Sequence, residues 1–401
     1  MNADVLIVGG GPAGSSLAVA LARRGVDVLL VDRARFPRPK PCAEYLSPEA
    51  SRVLDAMGAL GRVERSGAAA LSGVRVRAPN GLVIAGDFVA QHGFRAYADR
   101  GLSVRREVLD EILFDCARAA GARVVEGLRV TDLARDSSGR VTGAKQGAGE
   151  PIRTRFTIGA DGLRSVVARR LGLARATRWP RRLALVTHYT GVGEVGEQGE
   201  MHVERDGYLG IADVGHGATT VALVVPAARA REIAQDRTAF LEAWMRSRPH
   251  LAARFSGAER VSPVVATGPF GSYSRRAWAP GAALVGDAAD FFDPFTGEGI
   301  YAALRGGELL SDALVEALAA RDGGEEALRA YDRARRNEFG GKWIVERVIG
   351  AVVGWPPLIN RAAKRLSARK DLADLLIGVT GNFVPASEVV RWSYVWKVFV
   401  G

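Results

Sequence analysis

The stretch Asp4-Val5-Leu6-Ile7-Val8-Gly9-Gly10-Gly11-Pro12-Ala13-Gly14 decides the fold. An apolar strand runs straight into a G-x-G-x-x-G turn, and residues 15–24 continue it as a helix. Gly9 lets the chain turn tightly, Gly11 lets the backbone approach a pyrophosphate, and Gly14 allows close helix–strand packing. Pro12 and Ala13 open the helix, whose N-terminus offers free N–H groups and a partial positive charge to phosphates. A second apolar strand, 26–31, ends at Asp32 and Arg33; Asp32 lies eighteen residues beyond Gly14. An acid at that spacing accepts hydrogen bonds from the ribose hydroxyls of an adenosine. Strand, glycine triplet, helix, strand and acid in that order predict a Rossmann-like α/β unit.

The rest of the chain bounds what that unit can belong to. At 401 residues there is length for two or three domains with buried cores. A hydrophobic content of 48% and a charged content of 25% fit a globular protein. No apolar run reaches the roughly 18–20 residues that span a bilayer. The chain enters a strand almost at once, leaving no secretion signal, so a cytoplasmic location is expected. Cys42 and Cys116 form no C-x-x-C, and His92, His188, His202, His216 and His250 are scattered, so no metal site is expected. The net charge of +11 is spread as arginine over solvated faces, or it attracts an anionic surface or substrate. No basic block interleaved with aromatics points to nucleic acid.

Periodicity then divides the chain. Helical spacing is expected near 47–57 and over 106–120, and a hairpin over 72–90 about Pro79-Asn80-Gly81. Short strands are expected at 123–125, 129–134, 141–145 and 156–160. From about 183 to 270 the pattern is β-rich, with strands at 183–189, 201–204, 208–212 and 219–225 and a helix near 237–248. A Rossmann-like strand returns at 282–287, followed by a helix from about Gly299 and more helices from about 325, broken at Trp355-Pro356-Pro357. The expected architecture is α/β (α+β): a discontinuous nucleotide-binding domain (1–70, 101–180, 275–325), an inserted antiparallel β-sheet substrate domain (71–100, 181–274) and C-terminal helices (326–401).

Three motifs in order, Gly9-x-Gly11-x-x-Gly14, Gly159-Ala160-Asp161-Gly162-Leu163-Arg164-Ser165 and Gly286-Asp287-Ala288-Ala289, make the chain resemble the p-hydroxybenzoate-hydroxylase-type family of FAD-dependent oxidoreductases. The resemblance runs from Gly9 to about Leu310. It implies that Asp32 binds the adenosine ribose, that Asp287 contacts the sugar portion of FAD, and that the Asp161-Gly162 turn supports pyrophosphate. It also implies that Arg106 lies near the FAD phosphates and that the backbone of Val130 meets the adenine. From spacing alone, Arg106 equally fits an i,i+4 pair with Asp110. After Gly286-Asp287 comes Asp293-Pro294-Phe295-Thr296-Gly297-Glu298-Gly299-Ile300, whose glycines allow backbone to lie against a planar ring. The following helix aims its N-terminus at that ring, where it favours the anionic reduced flavin. A second G-x-G-x-x-G, Gly191 to Gly196, carries Glu194 and has no helical pattern after it, so it is not expected to bind a nucleotide.

Within the family, Asp293 to Ile300 and Lys40-Pro41-Cys42-Ala43-Glu44-Tyr45-Leu46-Ser47-Pro48 look most like the geranylgeranyl-reductase branch. Aromatic hydroxylases usually carry His where this chain has Asp290, and Gln in place of Glu298; the Trp-x-Trp-x-Ile-Pro signature of flavin halogenases is missing. That likeness implies reduction of a carbon–carbon double bond in an apolar, polyprenyl-like substrate, with NAD(P)H as reductant. The alternatives are an O2-dependent monooxygenase acting on an aromatic or polyketide ring, and a flavoprotein that passes electrons to a quinone. Cys42 is the candidate catalytic residue, positioning substrate or relaying a proton, although the branch pattern is Cys-Gly and here it reads Cys42-Ala43; a plain structural cysteine is the other reading. Glu44 and Tyr45 are candidate polar contacts. The apolar positions around Trp343 to Ile359 and the basic Arg361, Lys364 and Arg365 form either a peripheral membrane contact or helices packed on the sheet.

Overall fold

The computed structural model describes residues 1–91, 93–147 and 149–400; His92, Ala148 and Gly401 lie outside the described residues. Its first large sheet runs, edge to edge, Trp278–Ala279, Ala282–Leu284, Ile152–Gly159, Asn2–Val8, Val28–Asp32 and Arg123–Glu126. Along this path all neighbours are parallel except the outermost pair, Trp278–Ala279 with Ala282–Leu284, and off it Val141–Lys145 pairs antiparallel with Ile152–Gly159 and with Asp132–Arg135. Val5, Leu6, Ile7 and Leu30 are fully buried, as expected of strands covered on both faces. Helix Pro12–Ala22 follows the first strand with Pro12 in its first turn, where a missing N–H costs nothing. It packs against helix Gly299–Ala319 so closely that a Cβ on Gly307 would stand 2.8 Å from the Leu17 nitrogen. Ser16 Oγ adds a 2.8 Å hydrogen bond to the Leu304 carbonyl across the same seam.

The second large sheet runs Glu259–Arg260, Arg182–Thr190, Ala218–Pro226, Gly207–Asp213, Gln198–Glu204, Gly73–Arg77 and Val83–Asp87, with Val265–Thr267 also on Arg182–Thr190. The antiparallel expectation needs one correction: Gln198–Glu204 and Gly73–Arg77 pair in parallel. The chain reaches Gly73–Arg77 from the strand Ala69–Leu71, which lies in a separate small sheet, and the hairpin's leading strand runs beside Gln198–Glu204 in the same sense. Alternation sorts this sheet's side chains between two covers. Leu183, Leu185, Leu209, Val221 and Leu223 pack with Phe240, Leu241 and Trp244 from helix Arg237–Arg246. Ala184, Val186, Ala222 and Val224 face the other way, toward Val345, Val353, Leu372 and Val379 of the C-terminal helices. Those helices are Glu325–Val353, Pro356–Leu366, Lys370–Thr380, Ser387–Val390 and Trp392–Phe399, and the expected break falls at Gly354 and Trp355.

Candidate active site

The three glycine motifs meet at the carboxyl ends of the parallel strands. Gly9 adopts φ 111°, and a Cβ there would stand 2.4 Å from the Ala160 carbonyl oxygen. A Cβ on Gly14 would come within 1.9 Å of the Gly9 oxygen, and one on Gly286 within 2.9 Å of the Ala13 Cβ. The glycines therefore set the distance between the first turn, the Ala160-Asp161 turn and the Gly286–Ala288 turn. Gly11 differs from the other two: a Cβ there would meet only the ends of Arg38 and Arg106, at 3.6 and 3.9 Å. Its backbone is open toward two cations.

Asp32 sits at the end of its strand with Oδ2 accepting the Gly10 N–H and Oδ1 the Ala34 N–H, both at 2.8 Å. Its carboxylate thus fixes the glycine turn, and it lies 3.7 Å from the Arg38 guanidinium. Arg33 beside it is exposed and does not line the cavity described below. Arg106 forms the bidentate pair with Asp110 that its spacing allowed, Nε to Oδ1 at 2.8 Å and Nη2 to Oδ2 at 2.9 Å. Burial alone would lower its guanidinium, and the Asp110 carboxylate more than reverses that. Arg38 reaches the same Asp110 at 3.1 Å, and its guanidinium lies over the Phe36 ring, itself stacked on Phe114. Lys40 is lowered by its burial and by Arg106, and held up by Asp287.

Asp161 turns its Oδ2 to the Val166 N–H at 2.6 Å, while its buried Oδ1 has no protein partner; burial raises this carboxyl and the Ser165 hydrogen bond opposes the rise. Val130 is buried, and the strand expected over 129–134 begins only at Asp132. The Leu128 N–H instead bonds the Asp32 carbonyl, which holds 128–130 beside the end of Val28–Asp32 and out of a ladder. The second glycine triplet lies in the turn between Arg182–Thr190 and Gln198–Glu204, with no helix after it.

A cavity opens from these motifs. Gly11, Pro12, Ala13, Arg106, Gly162 and Asp287 line one end; Pro294, Gly297, Gly299 and Ile300 line the middle; Ala184, Val186, Ala222 and Val224 close it. The Asp293–Ile300 loop is fixed by Asp293, which is ion-paired with Arg182 and accepts the Tyr208 hydroxyl at 2.6 Å and the Phe295 N–H at 3.1 Å. Gly297, at φ 72°, presses against Tyr45: a Cβ would stand 2.6 Å from its ring. Glu298 is buried away from the cavity lining, and burial raises its carboxyl to about 7 against the opposing charge of Lys342. The Tyr45 hydroxyl is buried without a partner among the described residues, and burial followed by the Glu298 charge raises it.

Next to this cavity lies a second chamber that shares Ala43, Tyr45, Ala222, Val224, Pro294 and Gly297 with the first. Leu71, Val74, Val76, Met201, Ile349 and Leu376 give it apolar walls. Small residues at 184 and 222 leave the sheet surface low at the junction, which periodicity alone does not signal.

Cys42 lines the first cavity, half-buried; its sulfur accepts the Glu44 N–H at 3.3 Å and interacts with the Arg106 guanidinium. Glu44 was expected only as a polar contact, and its environment is more specific than that. It holds φ 63°, a conformation that costs a non-glycine residue roughly 1–3 kcal/mol. Oε1 accepts the Arg106 N–H at 2.8 Å and Oε2 lies 2.7 Å from His188 Nε2. His188 was not singled out as a site residue: nothing local relates it to a residue 144 positions earlier.

Glycines that leave backbone open toward Arg38 and Arg106, and a long cavity ending on an apolar sheet, suit an extended diphosphate carrying a planar ring. This is the arrangement of an FAD-dependent oxidoreductase. Residues 2–341 match the model of the FAD binding domain family, and the chain belongs to that family, in its geranylgeranyl-reductase-like branch. It is 30% identical over 346 residues to digeranylgeranylglycerophospholipid reductase 1 of Methanothermobacter thermautotrophicus, covering 84% of this chain and 83% of that protein. It is 27% identical to the menaquinone reductase of Mycobacterium tuberculosis, over 99% of this chain and 95% of that one. Among solved structures, the flavin-dependent brominase Bmp2 shares the fold with a TM-score of 0.84 at 21% identity, over 99% of this chain and 98% of that one.

Proposed function

We propose that this oxidoreductase saturates a carbon–carbon double bond in an apolar, polyprenyl-like substrate, with NAD(P)H supplying the electrons. The observation that carries the reading is the second chamber, an apolar space that shares Ala43, Tyr45, Ala222, Val224, Pro294 and Gly297 with the first. Burying a hydrocarbon chain there is favourable at about 25 cal/mol per Å² of apolar surface removed from water. The similarity to a prenyl-lipid reductase and a menaquinone reductase supports the same substrate class. FAD when bound supplies the hydride. In this reading Gly11, Pro12 and Ala13 hold its diphosphate with Arg38, Lys40 and Arg106 as counter-charges, Asp32 holds the ribose, and Asp287 meets the linking sugar alcohol. Pro294, Gly297, Gly299 and Ile300 back the ring. Val224, Ala222 and Phe270 exclude water on the opposite side.

The deciding experiment reduces the bound flavin without oxygen and adds polyprenyl lipids, quinones or aromatics. Reoxidation by a polyprenyl lipid, with a mass gain of two hydrogens, is the expected result. Gain of one oxygen on admitting air identifies a monooxygenase instead. Electron transfer to a quinone with every alkene intact identifies an electron carrier.

The same reading includes a peripheral membrane contact. No helix among the described residues is long and apolar enough to cross a membrane. Trp392, Trp396, Trp355 and Val348 are nevertheless exposed, and helix Trp392–Phe399 packs on helix Pro356–Leu366, which carries the exposed cations Arg361, Lys364 and Arg365. Indole rings beside cations suit an anionic lipid surface. Sedimentation with phosphatidylglycerol vesicles, reduced at least threefold in Trp392→Ser/Trp396→Ser, is expected; equal sedimentation of both proteins refutes the contact.

A further inference from the structure

Three side chains from three separated segments join the cavity wall to the outer edge of the second sheet. Glu44 lines the cavity and is only 3% exposed. Its Oε2 lies 2.7 Å from His188 Nε2, and His188 Nδ1 lies 2.9 Å from Ser262 Oγ. Ser262, half-buried, is the outer end. Its hydroxyl oxygen also accepts the His188 backbone N–H at 2.9 Å and lies 3.1 Å from Thr187 Oγ1.

The hydroxyl protons decide what this chain can do. Thr187 donates its own proton to the Ser262 carbonyl at 2.7 Å, so toward Ser262 Oγ it can only accept. The single Ser262 proton therefore has two acceptors, His188 Nδ1 and Thr187 Oγ1. In one arrangement Ser262 donates to Nδ1, and Nε2–H donates to the Glu44 carboxylate. In the other, Nδ1–H donates to Ser262, Ser262 donates to Thr187, and a protonated Glu44 donates to Nε2. Every group is paired in both, so neither arrangement carries the cost of a buried unsatisfied atom. A purely structural Glu–His contact needs only one.

We propose that Glu44 is the proton donor to the double bond and that His188 and Ser262 reload it from solvent. The proposal rests on the alkene-reductase reading. In the step, the carbon–carbon π bond breaks, one carbon takes hydride from the reduced flavin and the other takes the Glu44 proton. The flavin is left oxidised and is reduced again by the nicotinamide. The Glu44 carboxylate regains its proton from Nε2–H while Nδ1 takes the Ser262 proton, which water replaces. The imidazole then returns to its starting tautomer by solvent exchange between turnovers.

Two measurements on the full-length protein test this. In Glu44→Gln and His188→Ala, kcat for double-bond saturation should fall at least 30-fold with KM within threefold, and added imidazole should restore His188→Ala at least fivefold. Flavin content and Tm near the wild type establish that both variants are folded. A Glu44→Gln kcat within threefold of wild type, or no restoration by imidazole, overturns the proposal. Independently of any substrate, 15N NMR of histidine-labelled wild-type protein without FAD should show the His188 nitrogens averaged between tautomers. A single fixed tautomer overturns the relay. Averaged signals in a protein that saturates no alkene overturn the assigned reaction while leaving the proton route in place.

Discussion

Glu298 shows how one buried carboxyl gives a measurable pH dependence. Burial raises it from the usual range to about 7, so the folded protein holds its proton more tightly than the unfolded chain does. The stability that comes from this protonated form is complete below pH about 4.5 and is lost as pH rises through about 7. Glu298→Gln removes its share of the titration, and Glu346, also raised by burial, keeps its own. Denaturant unfolding at pH 5 and pH 8 should show a steeper decline in the wild type than in the variant; parallel profiles would count against this role. At this scale much of the site was readable. Gly9, Gly11, Gly14 and Asp32 act within one βαβ unit, where spacing reports position directly. The Arg106–Asp110 pair was readable as well, because i and i+4 share a helix face. Glu44 with His188 and Ser262 was not, since that juxtaposition is made by tertiary packing of an arm on a distant sheet edge.

Among the elements, the Asp293–Ile300 loop is held by partners it does not resemble in sequence. Arg182 on the second sheet pairs with Asp293 and also donates to the Gly350 carbonyl of helix Glu325–Val353 at 2.7 Å. Sheet, loop and helix are joined at one guanidinium. Arg182→Met leaves Asp293 buried without its counter-charge and should cost about 3 kcal/mol in denaturant unfolding, with weaker FAD retention. Unchanged stability would mean that Tyr208 and Phe295 alone satisfy the carboxylate. The strands of this region fall close to their expected bounds, 219–225 within Ala218–Pro226 among them, although alternation is faint there. Ala218–Pro226 is buried at every position but its last, because helices cover both faces. Its apolar run therefore lacks the polar face that marks a half-solvated strand. The parallel pairing of Gly73–Arg77 with Gln198–Glu204 was hidden, since no local signal reports chain direction across such a separation.

For the whole molecule, the arrangement that matters is one sheet presenting a nucleotide pocket to the flank of another. The two chambers share Ala222 in their walls. Ala222→Phe should leave FAD content unchanged while reducing reoxidation of the flavin by a polyprenyl lipid at least tenfold. Retained reoxidation would show that substrate enters by another route. Periodicity set the expected domain bounds, whereas the shared wall of the two chambers depends on the small side chain at position 222, which only the packed sheets reveal.

The far chamber is mostly apolar, and its hydroxyls at Tyr45, Thr220 and Thr296, which lack partners among the described residues, can make no hydrogen bond to a hydrocarbon. Tyr208 has given its hydroxyl to Asp293, and Thr380 bonds the Ile377 carbonyl within its own helix. A hydrocarbon tail held by dispersion alone has no fixed register, so it can slip by one isoprene unit at little cost. Early in the reaction, mass spectra of a multiply unsaturated tail should therefore contain positional isomers differing in which bond was hydrogenated. A single regioisomer would mean that the headgroup, anchored elsewhere, sets the stop.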